Sequence, residues 1–346
     1  MSANGHAPGQ PLVSVVLPTA DRPRYLKRAL QSAIDQTYRN IEILVRDNAS
    51  GPETGEVIRQ FRDERIQYLR HDHNVGMTQN VIGGFQQAKG KYVTNLHDDD
   101  FWEADFLQKT VTALEAHPEA VIAFSDHYIV DLNDKINTSA TEQNSALFNR
   151  TKLAPGIHKP FKKLALVDLS IPVSMATVFR RQSIDWNDFP NLASSYDFWL
   201  AYLACRNNDA CYYVAERLTS YRVHPASETS LGRVRLNKGL IEIYERMMLD
   251  PRVAELRSVF RERLGIHHTD AAIALLRRGE NGAARRMLLP GAKYRFDLKT
   301  SLAFAASYLS PGLTRHFPGK LSFPASRMIM TPEQIATARR RRFFSP

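Results

Sequence analysis

The sequence predicts an α/β fold: a mostly parallel central sheet flanked by helices, with a helical C-terminal extension. Three observations carry this. Strand-like apolar runs alternate with helical periods through the first 130 residues. Acidic or polar side chains stand at the ends of several of those runs, where open α/β sheets collect ligands. Beyond about residue 232 the pattern becomes helical.

In order, "LVSVVLP" (12–18) reads as a buried strand. The stretch 23–37 opens with proline and places Leu26, Leu30, Ala33 and Ile34 at helical spacing. Strands follow at 41–47 and 66–70, with a helix at 53–61 between them. A helix at 78–90 ends at Gly90, a strand fills 91–96, and a helix at 103–117 leads into a strand at 120–130. Residues 131–170 are polar and weakly periodic and read as a loop-rich excursion. Order returns near 172–181, a helix with aromatics on its buried face begins near 195, and 210–224 reads as one or two strands. Residues 269–289 resemble two short antiparallel helices about a glycine turn, and 298–313 is apolar around much of its circumference.

The 346 residues are enough for one large domain or two. The net charge of +10 favours anionic partners, and Arg339 to Arg342 form a basic run followed by Phe343 and Phe344. Cys205 and Cys211 imply neither a metal site nor a disulfide framework, which fits a reducing cytoplasm. They read as buried apolar residues. The polar N-terminus reads as disordered, without a signal-peptide core, and no transmembrane run is present.

The chemistry centres on "NLHDDDFW" (95–102). Neighbouring carboxylates at Asp98, Asp99 and Asp100 repel unless solvated or held by a cation. A solvated loop capping the next helix is one reading. A Ca²⁺ loop lacks the alternating ligand pattern. A divalent metal holding nucleotide phosphates suits a position just after a strand, because Mg²⁺ and Mn²⁺ are held by one or two carboxylates plus substrate oxygens. Neither G-x-G-x-x-G after the first strand nor a P-loop motif occurs, so any nucleotide is bound by metal and side chains.

Four ordered pieces carry a resemblance: "VSVVLPTADRPRYLKRALQSAIDQTYRNIEILVRDNAS", "NVGMTQN", "GKYVTNLHDDDFWEADFL", and "SSYDFWLAYLA" with "LTSYRVHPASET". Across residues 12–230 the sequence resembles the inverting nucleotide-sugar glycosyltransferases of family 2, with the GT-A fold. That resemblance implies a catalytic domain over 12–230, its nucleotide-binding half at 12–130 and its acceptor half at 131–230. Residues 1–11 precede it, and 231–346 form the helical region with its basic tail. It implies Pro18, Thr19 and Asp21 near base and ribose, Asp47 and Asn48 against the base, and Asn74 and Asn80 beside the nucleotide. Asp98 matches the ribose- and metal-binding motif. Asp99 is the expected metal ligand, supported by Asp100, with Mn²⁺ or Mg²⁺ as cofactor. Asp197 matches the general base, His224 a segment that returns to the metal, and Arg222 faces the diphosphate.

Two positions depart from the family. His97 stands where an acid is usual, and Tyr196 replaces the acid before the base. From residues alone, Asp197 also reads as a helix N-cap, His224 as a strand-end histidine, and Trp102 and Trp199 as core. The implied partners are a nucleotide-sugar donor and a saccharide or lipid-linked saccharide acceptor. The apolar stretch at 298–313 and the basic tail suggest an anionic membrane surface, with a packed helix and disordered tail as the alternative. A silent nucleotide- or carbohydrate-binding relative is the competing function. Nucleic acid is not expected, because the basic run is terminal and no recognition motif accompanies it.

Overall fold

A computed structural model describes residues 9–190, 192, 195–223 and 233–314, less the side chains at 233 and 235. Most of the N-terminal stretch, His224 and the tail after Thr314 lie outside the described residues. The chain divides into two compact units, Met1–Asn191 with Tyr196–Val223, and Leu192–Ser195 with His224–Pro346.

The first unit is built on strands β1 (Val13–Thr19), β2 (Ile41–Asp47), β3 (Ile66–Arg70), β4 (Tyr92–Asn95), β5 (Phe101–Trp102), β6 (Ala120–Val130), β7 (Gly156–His158), β8 (Thr177–Arg180) and β9 (Ala210–Arg222). Their order is β3-β2-β1-β4-β8-β6-β9-β5, and β7 pairs with β9. β3, β2, β1 and β4 are mutually parallel. β8 is antiparallel to both β4 and β6, so β6 and its parallel partner β9 run with β1. Only β5, β7 and β8 oppose the common direction among the described strands. β1 and β2 are buried along their whole length, β1 as a nearly continuous apolar run and β2 with Glu42, Arg46 and Asp47 buried among its apolar residues.

Helices α1 (Pro23–Ile34), α2 (Pro52–Arg59), α3 (Met77–Gln87) and α4 (Phe106–Ala116) follow the early strands. Leu26, Leu30 and Leu107 pack with Val15, Leu17, Ile43 and Val45 in the main core. α3 approaches β1 closely: a Cβ at Gly84 would lie 2.5 Å from Val16 Cγ1. α3 stops at Gln87, before Gly90, because Ala88 leaves helical geometry.

The excursion at 131–170 holds more structure than its polarity suggests. It contains α5 (Thr138–Leu147), β7 and α6 (Lys162–Leu166). α5 buries small residues, Ala140, Thr141 and Ser145, and the Asn137 side chain caps it by accepting from the Ala140 N–H. α7 (Tyr196–Cys205) is buried all round, apart from half-buried Asp197. Residues 210–222 form one strand, with register shifts against β6 at Ser125/Asp126 and Asp126/His127. Trp102 and Trp199 are core residues, 3% and 4% exposed. Both cysteines are free and buried, and burial pushes the Cys211 thiol up to about 12.

The second unit contains α8 (Arg233–Leu249), α9 (Arg257–Arg277), α10 (Asn281–Gly291), α11 (Leu298–Ala306) and α12 (Pro311–Thr314). The glycine turn expected near 279 is present, with Gly279 at φ 76°. Its first helix is longer than expected and begins at Arg257. Ala272, Leu276, Ala284, Leu288, Ala303 and Ala306 form a core of its own. Among the described residues, no helix is long and apolar enough to cross a membrane.

Candidate active site

The carboxyl ends of β1, β2, β4 and β9 bring the sequence-predicted residues together. β4 ends at Asn95, and the next five residues form the acidic turn. Asp98 is 4% exposed, and its Oδ2 accepts from Thr19 Oγ1 at 2.8 Å at the end of β1. Arg22 stands between two of the carboxylates: its Nη1 is 3.2 Å from Asp98 Oδ1 and 2.9 Å from Asp99 Oδ2. This guanidinium offsets part of the repulsion that the sequence poses. Burial raises the Asp98 carboxyl to about 7, Asp99 adds to the rise, and Arg22 opposes it.

Asp100 is 1% exposed and accepts from the Arg222 N–H at 3.0 Å through Oδ1. Its Oδ2 is buried without a hydrogen-bond partner. Burial and Asp99 hold this carboxyl well above the usual range. The Arg222 guanidinium donates to the carbonyls of Asp99 and Asp131 and pairs with Asp134 at 2.5 Å. In this structure those contacts tie the acidic turn to the end of β9.

His97, Asp99 and Asp100 each offer a ligand atom, and these atoms lie within 4.8 Å of one another. The residues fit a divalent cation. The turn is rich in carboxyl groups, the Asp100 Oδ2 is buried without a hydrogen-bond partner, and carboxylate and imidazole are both donors to divalent metals. His97 was not among the ligands expected from the sequence. His224, which was, lies outside the described residues.

His97 Nε2 lies 2.6 Å from Tyr196 Oη, and that hydroxyl accepts from Asn95 Nδ2 at 2.9 Å. The two positions that depart from the family pattern thus touch each other. Burial lowers the His97 pKa, against the pull of Asp99 and Asp197. Asp197, beside Tyr196 in the first turn of α7, accepts from the Phe198 N–H at 2.8 Å and Ser174 Oγ at 3.2 Å. Burial raises its carboxyl, which keeps it a proton acceptor stronger than an exposed aspartate.

The remaining predicted residues order the loops around this turn. Asp47 is fully buried, with Oδ1 accepting from the Ser50 N–H at 2.9 Å and Oδ2 from Tyr68 Oη at 2.6 Å. Asn48 donates to Asn74 Oδ1 at 2.9 Å and accepts from the Val75 N–H at 2.8 Å. Asn80 donates to the Arg46 carbonyl at 2.8 Å. Asp21, at φ 53°, accepts from the Gly51 N–H at 2.8 Å. Pro18 lies in β1 opposite Arg46. Sequence reasoning passed over Arg22, although it is the first cation after β1 and lies on the ligand edge.

Comparisons with known proteins speak to the family and the fold. The sequence profile of Glycosyl transferase family 2 matches residues 14–185. An uncharacterized glycosyltransferase of Methanocaldococcus jannaschii is 26% identical over 234 residues, 66% of this chain and 76% of that protein. The UDP-Glc:alpha-D-GlcNAc-diphosphoundecaprenol beta-1,3-glucosyltransferase WfaP of Escherichia coli is 27% identical over 118 residues, 34% of this chain and 47% of that enzyme. The crystal structure of S. aureus TarS 1-349 in complex with UDP-GlcNAc superposes with a TM-score of 0.62, covering 88% of this chain and 90% of that one. At 13% identity this last likeness speaks for the fold alone. With a matching profile, glycosyltransferase relatives and the acidic turn on the ligand edge of the sheet, the chain belongs to glycosyltransferase family 2 and has the GT-A fold.

Proposed function

We propose that this chain is an inverting, metal-dependent hexosyltransferase. It moves a sugar from a UDP- or dTDP-linked donor to an acceptor hydroxyl, in the building of a cell-surface polysaccharide or glycoconjugate. The observation that carries the reading is the meeting of His97, Asp99 and Asp100 beside the Tyr196–Asp197 pair. His97, Asp99 and Asp100 would hold Mn²⁺ or Mg²⁺, which supplies Lewis-acid neutralisation of the departing diphosphate.

The protein's own groups do the rest. Thr19 and Asp98 face the ribose, and the loops fixed by Asp47, Asn48, Asn74 and Asn80 shape the base pocket. Arg222 holds the acidic turn in place. Asp197 takes the proton from the attacking hydroxyl. The sugar–diphosphate bond breaks with oxocarbenium character, and one displacement from the opposite face inverts the anomeric centre without a protein nucleophile. The nature of WfaP supports a UDP-sugar donor and a lipid-linked saccharide acceptor.

Calorimetric titration with UDP, dTDP and GDP, with and without Mn²⁺, tests this. Metal-dependent binding of one nucleotide is the expected result. Arg22 favours a second reading, a silent binding relative, because its guanidinium already bridges two of the carboxylates. Nucleotide binding indifferent to Mn²⁺, with no sugar transfer, would establish that reading instead.

A further inference from the structure

The net positive charge of this chain is confined to one end. Of its 46 basic and 36 acidic residues, 12 and 2 fall in residues 281–346, leaving 34 of each in residues 1–280. The entire net charge of +10 therefore resides in the last 66 residues.

The described part of this region also exposes apolar side chains. α11 buries Thr300, Ala303 and Ala306 on one side. On the other it exposes Leu298 (71%) and Leu302 (40%), one helical turn apart. A surface helix ordinarily turns polar residues to water. The exposure continues on either side of α11, at Phe296, Tyr308, Leu309 and Leu313. Arg285 joins α10 to the end of α11: its guanidinium donates to the Ser307 carbonyl and lies 4.8 Å from the Tyr308 ring centroid. Arg286 and Lys293 are exposed.

We propose that the α10–α12 surface docks on an anionic lipid bilayer, with its leucines at the acyl boundary and its cations on headgroup phosphates. Charge selects this occupant. A second copy would bring an equally cationic surface against this one. Residues 315–346 carry seven basic residues and one acidic, so they too would add like charge. Nucleic acid offers anions but no apolar layer for the leucines. Apolar burial combined with basic side chains is the pairing that holds proteins at anionic interfaces.

Co-sedimentation of the full chain with phosphatidylcholine vesicles, with and without phosphatidylglycerol, tests the proposal. No sugar donor is present, so the outcome is independent of the transferase reading. Binding to the anionic vesicles alone, weakened by salt, is expected. Leu298→Gln/Leu302→Gln, with an unchanged thermal transition, should weaken it by about tenfold or more. Arg286→Gln/Lys293→Gln, which alters only exposed cations, should weaken it by about 30-fold. Three outcomes would overturn the proposal: no sedimentation of the wild type with anionic vesicles, equal sedimentation of both variants, or retention on RNA but not on vesicles. A wild-type dimer that the leucine variant dissociates, without vesicle binding, would assign the face to self-association.

Discussion

At the residue scale, the site is a problem of charge. Asp98, Asp99 and Asp100 are adjacent in sequence, and the fold separates their tasks. Asp98 turns to Thr19 and Arg22, Asp100 to the β9 backbone, and Asp99 shares Arg22 while standing near His97 and Asp100. With a metal on Nδ1, His97 would carry its proton on Nε2 and donate it to the Tyr196 oxygen, fixing the ring. Tyr196→Phe removes that acceptor. Partners of this kind change metal affinity by about 10–100-fold, so Mn²⁺ titration of the variant should show a loss of that size. An unchanged affinity would reduce Tyr196 to a packing residue. Asp197→Asn should leave metal-dependent donor binding intact and lower the transfer rate by about 10²–10⁴-fold. Full activity in that variant would remove Asp197 from the mechanism. The acidic turn was legible because it follows an apolar strand on the ligand edge. Its partners were not: Arg22 lies 76 and 77 positions from Asp98 and Asp99, and Tyr196 lies 99 from His97. Only the sheet order brings them into contact.

At the scale of elements, β2, β3 and β6 begin and end where the sequence places them, β2 and β6 through their buried, β-branched residues and β3 although its side chains are largely exposed. α5 was not legible. Its buried side is Ala140, Thr141 and Ser145, and such small, partly polar residues leave little hydrophobic period to read. The bulges in β6 were equally hidden, since they follow from partners across the sheet. They surround Asp126, whose Oδ1 accepts from Arg150 Nε at 2.6 Å in the interior. The α3–β1 contact yields a sharper test. Gly84→Ala would set a Cβ 2.5 Å from Val16 Cγ1 and 3.3 Å from Arg46 Cγ, and Val16 is fully buried. Overpacking of this kind costs about 1–3 kcal/mol, readable as a lower urea midpoint. Because α3 carries Asn80, nucleotide affinity should fall with it. A stable Gly84→Ala protein would mean that α3 shifts freely on the sheet.

At the scale of the whole molecule, two units with separate cores respond to acid by different groups. In the helical unit the decisive group is His267. Its Nδ1 meets Asn237 Oδ1 at 2.8 Å, its ring stacks on Tyr244 at 5.5 Å between centroids, and its Nε2 is buried without a hydrogen-bond partner. Burial pushes its pKa down to about 3, and Arg263 and His268 press in the same direction. In the unfolded chain the same imidazole titrates at about 6.5. Between those values the unfolded state binds a proton that the fold refuses, so stability rises with pH across that window and is flat above it. The effect is on the order of 5 kcal/mol when fully developed. For the helical unit, calorimetric scans should therefore show a transition that moves down as pH falls from about 6.5 towards 3, whereas the raised Asp98 carboxyl of the other unit acts in the opposite sense there. His267→Gln keeps a polar side chain without the titration, and it should flatten that dependence while leaving the metal-dependent nucleotide affinity unchanged. If the slope survived the substitution, the acid sensitivity would belong to another buried group, and His127, also pushed down to about 3 by burial, would be the next to replace.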